Sequence, residues 1–329
     1  MKDIFIADLT RQEENRPFDS TYLVLSKQQR TTKAAKIYLS LILGDNTGQI
    51  EARVWDPADT RISPEFGKGS VVKVRGTVAK FEGVLQLKVD ALRLAKTGEF
   101  DRKDLLPATT YDIGELWQKL QAAVAGFTDP DLKLLVTTIL AEPMVRDRFR
   151  EAPAAKQLHH AWLGGLLEHV VSLVGLARRV LPHYPILMPD LVVTGVILHD
   201  VGKIYELSWE TGFDYTLEGQ LLGHIQIGAS MVEKTIDSLP NFPPRLKTLV
   251  LHMILSHHGK LEFGSPKLPM IPEAIMLNFL DDLDAKMQTI ATEFQRAERQ
   301  GKGADEMTDK IWALDQRTML NSRAWLGKP

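Results

Sequence analysis

Two hydrophobic periods divide this chain. Up to about Ala95, apolar and β-branched residues alternate with polar ones in short segments broken by Gly and Asn, predicting strands near Tyr22–Ser26, Lys36–Leu43, Gln49–Trp55, Ser70–Val78 and Val84–Leu92. A polar connection containing Gly and Pro, Lys96–Thr110, follows. Beyond it the apolar residues recur at helical spacing, with helices predicted over Ile113–Ala125 and Asp131–Ala141. One later stretch, Leu191–Lys203, is an uncharged apolar run that ends abruptly in His199-Asp200, with Gly202 and Lys203 behind. A helix apolar on every side is a buried one, and an ionisable pair at its end is costly unless a metal or a partner compensates it. Adjacent His and Asp there read as metal ligands, against the plainer alternative of a satisfied core histidine.

Five strands with a short segment near Pro57–Phe66 between the third and fourth match the order of an OB-fold, and Gly44-Asp45-Asn46-Thr47-Gly48 is a hairpin signal joining strands two and three. The runs IYLSLILGDNTGQIEARVWD and FGKGSVVKVRGTVAKFEGVLQLKV resemble the nucleic-acid-binding OB-folds of the anticodon-binding type. Such folds lay single strands across strands two and three, so Tyr38, Arg53, Trp55, Lys80 and Phe81 are candidates for stacking and phosphate contact. The competing reading makes the aromatics core filling, which small barrels need.

With 329 residues, two domains each burying its own core are expected. The division is residues 1–97 for an all-β barrel, 98–150 for linker and connecting helices, 151–300 for an all-α helical bundle, and 301–329 for a tail packed on that bundle. The absence of cysteine excludes disulfides, thiolate zinc sites and cysteine nucleophiles, so any metal must be held by His and carboxylate ligands. No apolar run reaches membrane-spanning length and the N-terminus lacks the pattern of a signal peptide, so a cytoplasmic protein without a membrane partner is expected. The barrel half carries a modest basic excess and the remainder an acidic one; a solvated basic face is the plain explanation.

Most of the histidines fall on apolar helix faces. His169 shares a face with Leu166, Val170, Leu173 and Ala177. His224 is spaced with Leu221, Ile227 and Gly228, and the stripe Leu246, Leu249, Val250, Met253, Ile254 leads to His257, with His258 beside it. His252 lies off that stripe and reads as structural, and His183, beside Pro182, as surface. The segment AIMLNFLDDLDAKM interrupts an apolar helix with Asp281, Asp282 and Asp284, and spacing alone does not choose among them. Five histidines and two or more aspartates on the core sides of separate helices point to a shared metal centre. Nitrogen and oxygen ligands suit Mn²⁺, Fe²⁺, Co²⁺ or Zn²⁺. His159 and His160 precede the first ligand helix, either as turn packing or as groups that line a substrate path or protonate a leaving group.

His169, His199-Asp200 and a later aspartate match the H…HD…D signature of the HD-domain phosphohydrolases. More narrowly, a barrel followed by PAAKQLHHAWLGGLLEH, LHDVGKIYELS, EGQLLGHIQIG, LSHHGKLEFGSP and LDDLDAKM resembles the YhaM-type 3′→5′ exoribonucleases over nearly the whole chain. The resemblance implies a first metal on His169, His199, Asp200 and Asp281, with Asp200 bridging to a second on His224, His257 and His258. It also implies a preference for Mn²⁺, Lys203 near a phosphate oxygen, and Asp284 as a supporting group or a helix-surface charge. The implied activity is hydrolysis of phosphodiester bonds in single-stranded RNA by water activated between two ions, with single-stranded DNA a second candidate substrate and homo-oligomerisation compatible with the sequence. The alternatives are a phosphohydrolase of small or cyclic nucleotides with the barrel as a docking module, and a nucleic-acid-binding accessory factor.

Overall fold

The computed structural model describes residues 2, 4–11, 16–32, 34–81, 84–156, 160–210 and 212–328. It divides into two compact units, Met1–Ala108 with Ser208–Asp214, and Thr109–Leu207 with Tyr215–Pro329.

The first unit is a closed barrel of β1 (Phe18–Thr31), β2 (Ile37–Asp45), β3 (Gly48–Val54), β4 (Val71–Phe81) and β5 (Val84–Leu94), in the order β1-β2-β3-β5-β4. This is the expected OB-fold arrangement, with the β3–β5 pairing parallel and the other ladders antiparallel. Alternation does the work of filling: Leu39, Leu41 and Leu43 of β2 and Ile50, Ala52 and Val54 of β3 all point inward and are buried. β1 is longer than its apolar core suggested, because its polar second half still pairs with β2 as far as Thr31 opposite Ile37. The segment 57–66 forms turns, within which Ile62 is buried and bridges to Leu92. A short helix, α1 (Arg102–Leu105), capped by the Asp101 side chain, ends this unit.

The second unit is helical: α2 (Ile113–Ala125), α3 (Pro130–Ala141), α4 (Pro143–Glu151), α5 (Gly165–Val180), α6 (Pro189–Leu198), α7 (Lys203–Glu206), α8 (Leu217–Ser238), α9 (Pro244–Ser256) and α10 (Pro272–Arg299). The helix starts follow local chemistry. Asp112 accepts from the Glu115 N–H to cap α2, and Asp129 caps α3 ahead of Pro130 at its first position. The apolar run forms α6, buried from Leu191 to Leu198, with His199 at its C-cap. On α5, Leu166, Val170, Leu173 and Ala177 are fully buried together with His169. α8 is interrupted at Gly223, whose φ of 73° and ψ of 155° lie outside helical space and in a region that only glycine occupies without strain. Beyond α10, Ile311 and Leu314 are buried, whereas Trp312 and Trp325 are exposed, so the aliphatic residues and not the tryptophans anchor the tail. No helix among the described residues is long and apolar enough to cross a membrane.

Candidate functional site

Five helix ends and faces of the second unit bring their polar residues to one place. α5 supplies His169, the end of α6 supplies His199 and Asp200, the resumed α8 supplies His224, the end of α9 supplies His257 and His258, and α10 supplies Asp281. His169 Nε2 lies 3.1 Å from Asp281 Oδ1, and His199 Nε2 lies 3.3 Å from Asp200 Oδ2 and 3.8 Å from Asp281 Oδ1. On the other side, Asp200 Oδ1 lies 3.5 Å from His224 Nε2 and 3.7 Å from His257 Nε2. The two oxygens of Asp200 therefore face two different groups of ring nitrogens. His224, His257 and His258 form one close donor group, and His169, His199 and Asp281 another.

Every one of these five rings is oriented through Nδ1. The acceptor is Asp284 Oδ2 for His169 (2.8 Å), the Val196 carbonyl for His199 (2.9 Å), Glu206 Oε1 for His224 (3.0 Å), the Ile254 carbonyl for His257 (2.7 Å) and the Phe263 carbonyl for His258 (2.8 Å). A carbonyl or carboxylate oxygen can only accept, so each Nδ1 carries the proton and each Nε2 is left as the metal-binding atom. Nε2 of His199, His224 and His257 and Oδ1 of Asp200 are buried without a hydrogen-bond partner. Buried polar atoms are normally paired, so a convergent set left open fits a divalent cation with N and O ligands.

The charges agree. Burial holds the His257 imidazole well below its ordinary pKa, aided by His199 and His258, and His258 is lowered likewise, so both are neutral and able to donate a lone pair. Burial opposes ionisation of Asp200, yet Lys203 and His199 outweigh it and keep the carboxylate charged. Burial also disfavours the His169 imidazolium, but hydrogen bonds to Asp281 and Asp284 lift its pKa to about 9, so a cation at Nε2 competes with a proton.

The remaining candidates sort by what they touch. Asp282 is exposed and pairs with Lys286, whereas Asp284 is buried and accepts from Ser172 (2.6 Å) while facing His160 Nε2 (3.1 Å) and His169, so it supports the ligands from behind. His160 is fully buried, with a φ of 51°, and sits against Asp284 and not along an open path. His159 lies outside the described residues. Lys203 begins α7 and places Nζ 2.7 Å from Asp200 Oδ2. His252 Nε2 accepts from the Met270 N–H at 2.9 Å, a structural role, and His183 is exposed.

Sequence reasoning missed Glu206. Its carboxylate accepts from both the His224 N–H and His224 Nδ1 at 3.0 Å, and its only trace in the sequence is a lone acidic residue between the apolar Ile204 and Leu207. The α8 spacing was also misread. The break at Gly223 turns Leu221 out to 75% exposure, so Leu221 does not share a core face with His224. A second glycine brings the turn bearing Asp200 against the helix bearing His224: a Cβ on Gly202 would lie 2.0 Å from the His224 carbonyl oxygen and 2.7 Å from the Gly228 nitrogen.

On the barrel, Tyr38 and Trp55 are not core. Their rings stack with centroids 5.1 Å apart on the outer side of β2 and at the end of β3, the Arg53 guanidinium lies 5.6 Å from the Trp55 ring, and Trp55 is 45% exposed. Lys80 is exposed on β4, away from that cluster in the strand order, and the side chain of Phe81 lies outside the described residues.

Residues 166–286 match the HD domain family, and residues 23–95 match an OB-fold nucleic acid binding domain family of the tRNA anticodon type. Among solved structures, a replication protein A heterotrimer bound to ssDNA is similar over 29% of this chain and 80% of its own at 18% identity and a TM-score of 0.24. The second OB-fold domain of replication protein A from Methanococcus maripaludis covers 26% of this chain and 89% of its own at 25% identity and a TM-score of 0.20. The 3′-5′ exoribonuclease YhaM of Geobacillus sp. (strain WCH70) is 36% identical over 315 residues, spanning 94% of this chain and 93% of that protein. With both domains matched in the same order and the likeness running through nearly the full length, the chain belongs to the YhaM family of HD-domain, OB-fold proteins.

Proposed function

We propose that this protein is a metal-dependent 3′→5′ exonuclease that hydrolyses single-stranded RNA, with Mn²⁺ as its working ion, and that the site takes two ions. The observation that carries the reading is Asp200, whose Oδ2 faces His199 while its Oδ1 faces His224 and His257. His169, His199, Asp200 and Asp281 would hold the first ion, and Asp200, His224, His257 and His258 the second. Such a pair supplies Lewis acidity toward the phosphoryl oxygens and lowers the pKa of the attacking water.

The chain's own contribution is to orient and to neutralise. Five Nδ1 hydrogen bonds fix the ring planes, so little reorganisation is needed when substrate arrives. Lys203 offsets the negative charge of Asp200 and leaves a fixed cation where an anionic phosphodiester must come. The Tyr38–Trp55 stack with Arg53 offers a π-face and a positive charge of the kind that single strands use, and we assign the barrel the task of holding the strand while its end is processed. The relative's exoribonuclease activity supports the polarity and the substrate.

Parallel digestion of 5′-labelled and 3′-labelled single-stranded RNA tests this. With Mn²⁺, the 3′ label should leave at once as mononucleotide while the 5′-labelled strand shortens in a ladder, and chelator should stop both. Hydrolysis of small or cyclic nucleotides with intact RNA would instead establish the small-molecule phosphohydrolase.

A further inference from the structure

The site has a closed side and an open one. His169, His199 and His257 are fully buried, while His224 and His258 retain some exposure. Directly after His258 the chain makes a short loop, Gly259–Ser265, with both of its glycines in the left-handed region. The loop is firmly held: His258 Nδ1 donates to the Phe263 carbonyl at 2.8 Å, the Ser265 N–H to the Lys260 carbonyl at 3.3 Å, and Asn278 Nδ2 to the His257 carbonyl at 2.7 Å. The loop displays two apolar side chains, Leu261 and Phe263, beside the charged pair Lys260 and Glu262. Phe263 is 59% exposed, and Lys260 Nζ stands 4.9 Å from its ring centroid. Across the open side, Leu221 and Leu222, just before His224, are exposed as well.

This hydrogen-bonded loop, tied by its backbone to a metal-ligand candidate, carries into solvent an aromatic ring and a cation whose ion pair with Glu262, at 3.4 Å, is solvent-exposed and therefore weak enough to exchange for a phosphate. A substrate that is anionic at its reacting bond and flat and apolar next to it would use both groups. We infer that Phe263 is the stacking platform for the base of the 3′-terminal nucleotide and that Lys260 meets the adjoining phosphate. The inference rests on the exonuclease reading and specifies where the strand end is seated. The carbonyl of Phe263, and not its ring, orients His258, so the ring can be replaced without touching the ligand. Recognition by stacking accepts every base, as an enzyme that trims strands of any sequence requires, because each base has a π-face.

The test is a cycle between protein and substrate. KM for release of the first nucleotide is measured with Mn²⁺ on single-stranded RNA whose 3′-terminal nucleotide is intact or abasic, using the full-length wild type, Phe263→Ala, Phe263→Leu and Phe263→Trp. In the wild type, removing the terminal base should raise KM about 5- to 150-fold, the range for one stacked base. Phe263→Ala should show that same rise on intact RNA and little further change on abasic RNA. Phe263→Leu, which keeps apolar bulk without the ring, should behave like Ala, and Phe263→Trp should restore discrimination. Metal content by elemental analysis and the thermal midpoint should be unchanged in all three variants. Discrimination against the abasic end that survives in both Phe263→Ala and Phe263→Leu would overturn the base seat alone, as would its absence in the wild type. A wild-type protein that removes nothing from the 3′ end would overturn the exonuclease reading itself, and the seat with it.

Discussion

The two donor groups that meet at Asp200 differ in composition and in burial: two histidines with Asp281 in one, three histidines in the other. The half around His169, His199 and Asp281 is sunk behind α5 and α10; Asp284 accepts from Ser172 and binds His169 while touching His160, and the Val196 carbonyl fixes His199. The half around His224, His257 and His258 is more open, and two of its three rings are fixed by main-chain carbonyls, with Glu206 serving only His224. An acidic support raises the basicity of the imidazole it holds, whereas a carbonyl fixes direction with less charge. On the two-ion proposal, the buried half, with the Asp281 carboxylate among its ligands, should retain its ion more tightly, while the open half should exchange its ion and meet the substrate.

The largest effect should come from the residue the halves share. Asp200→Asn removes a charge that both sides face without removing volume, so we expect turnover to fall by about a thousandfold or more while helical circular dichroism is kept. Metal titration of that variant should lose occupancy in both halves; a variant that still binds two ions and turns over normally would mean that Asp200 is not shared.

Smaller and more selective changes should separate the halves. Asp284→Asn should weaken the tighter class of ion by about 10- to 100-fold and leave the weaker class alone, and Glu206→Gln should do the reverse. Calorimetric titration with Mn²⁺ reads both classes at once, and equal losses in both classes from either variant would erase the distinction.

The smallest effect concerns His252, which accepts from the Met270 N–H and so anchors the return from the open-side loop. Burial lowers its pKa in the folded chain. The unfolded chain therefore binds more protons at this position once the pH falls through the ordinary histidine range near 6.5, and stability drops with it. Denaturant melts at pH 7.5 and pH 5.5 should show a steeper acid loss in the wild type than in His252→Gln, which keeps a neutral acceptor. Parallel losses in the two proteins would show that His252 does not report on the loop.

Much of this was readable beforehand because the informative positions are buried. Alternation located all five strands, since one face of each must fill the barrel, and α2 begins and ends where its periodicity puts it. The five histidines were legible for the same reason: polar groups on apolar helix faces stand out. Exposed features carried no such signal. The polar second half of β1 is a strand only because β2 pairs with it, and Tyr38 and Trp55 are as plausible inside a barrel as outside. Helical spacing was carried across Gly223 because periodicity does not register a single left-handed residue. Asp284 and Glu206 were hard to weigh because supporting contacts join residues far apart in sequence, or join a short turn to a helix, and no local pattern requires them.

Gly202 carries a consequence of its own. Its main chain is pressed against the His224 carbonyl and the Gly228 nitrogen with no room for a Cβ, so the turn bearing Asp200 and the helix bearing His224 meet backbone to backbone. The distance from Asp200 to His224 is thus set by a ruler made of main chain, not by side chains of adjustable length. Exchanging one ligand type for another can retune which ion prefers the site, but it cannot move the two positions apart. An Asp200→Glu protein, one methylene longer across a fixed span, has nowhere to put the extra length, and a Gly202→Ala protein would displace His224 while leaving His257 and His258, carried by the end of α9, where they are.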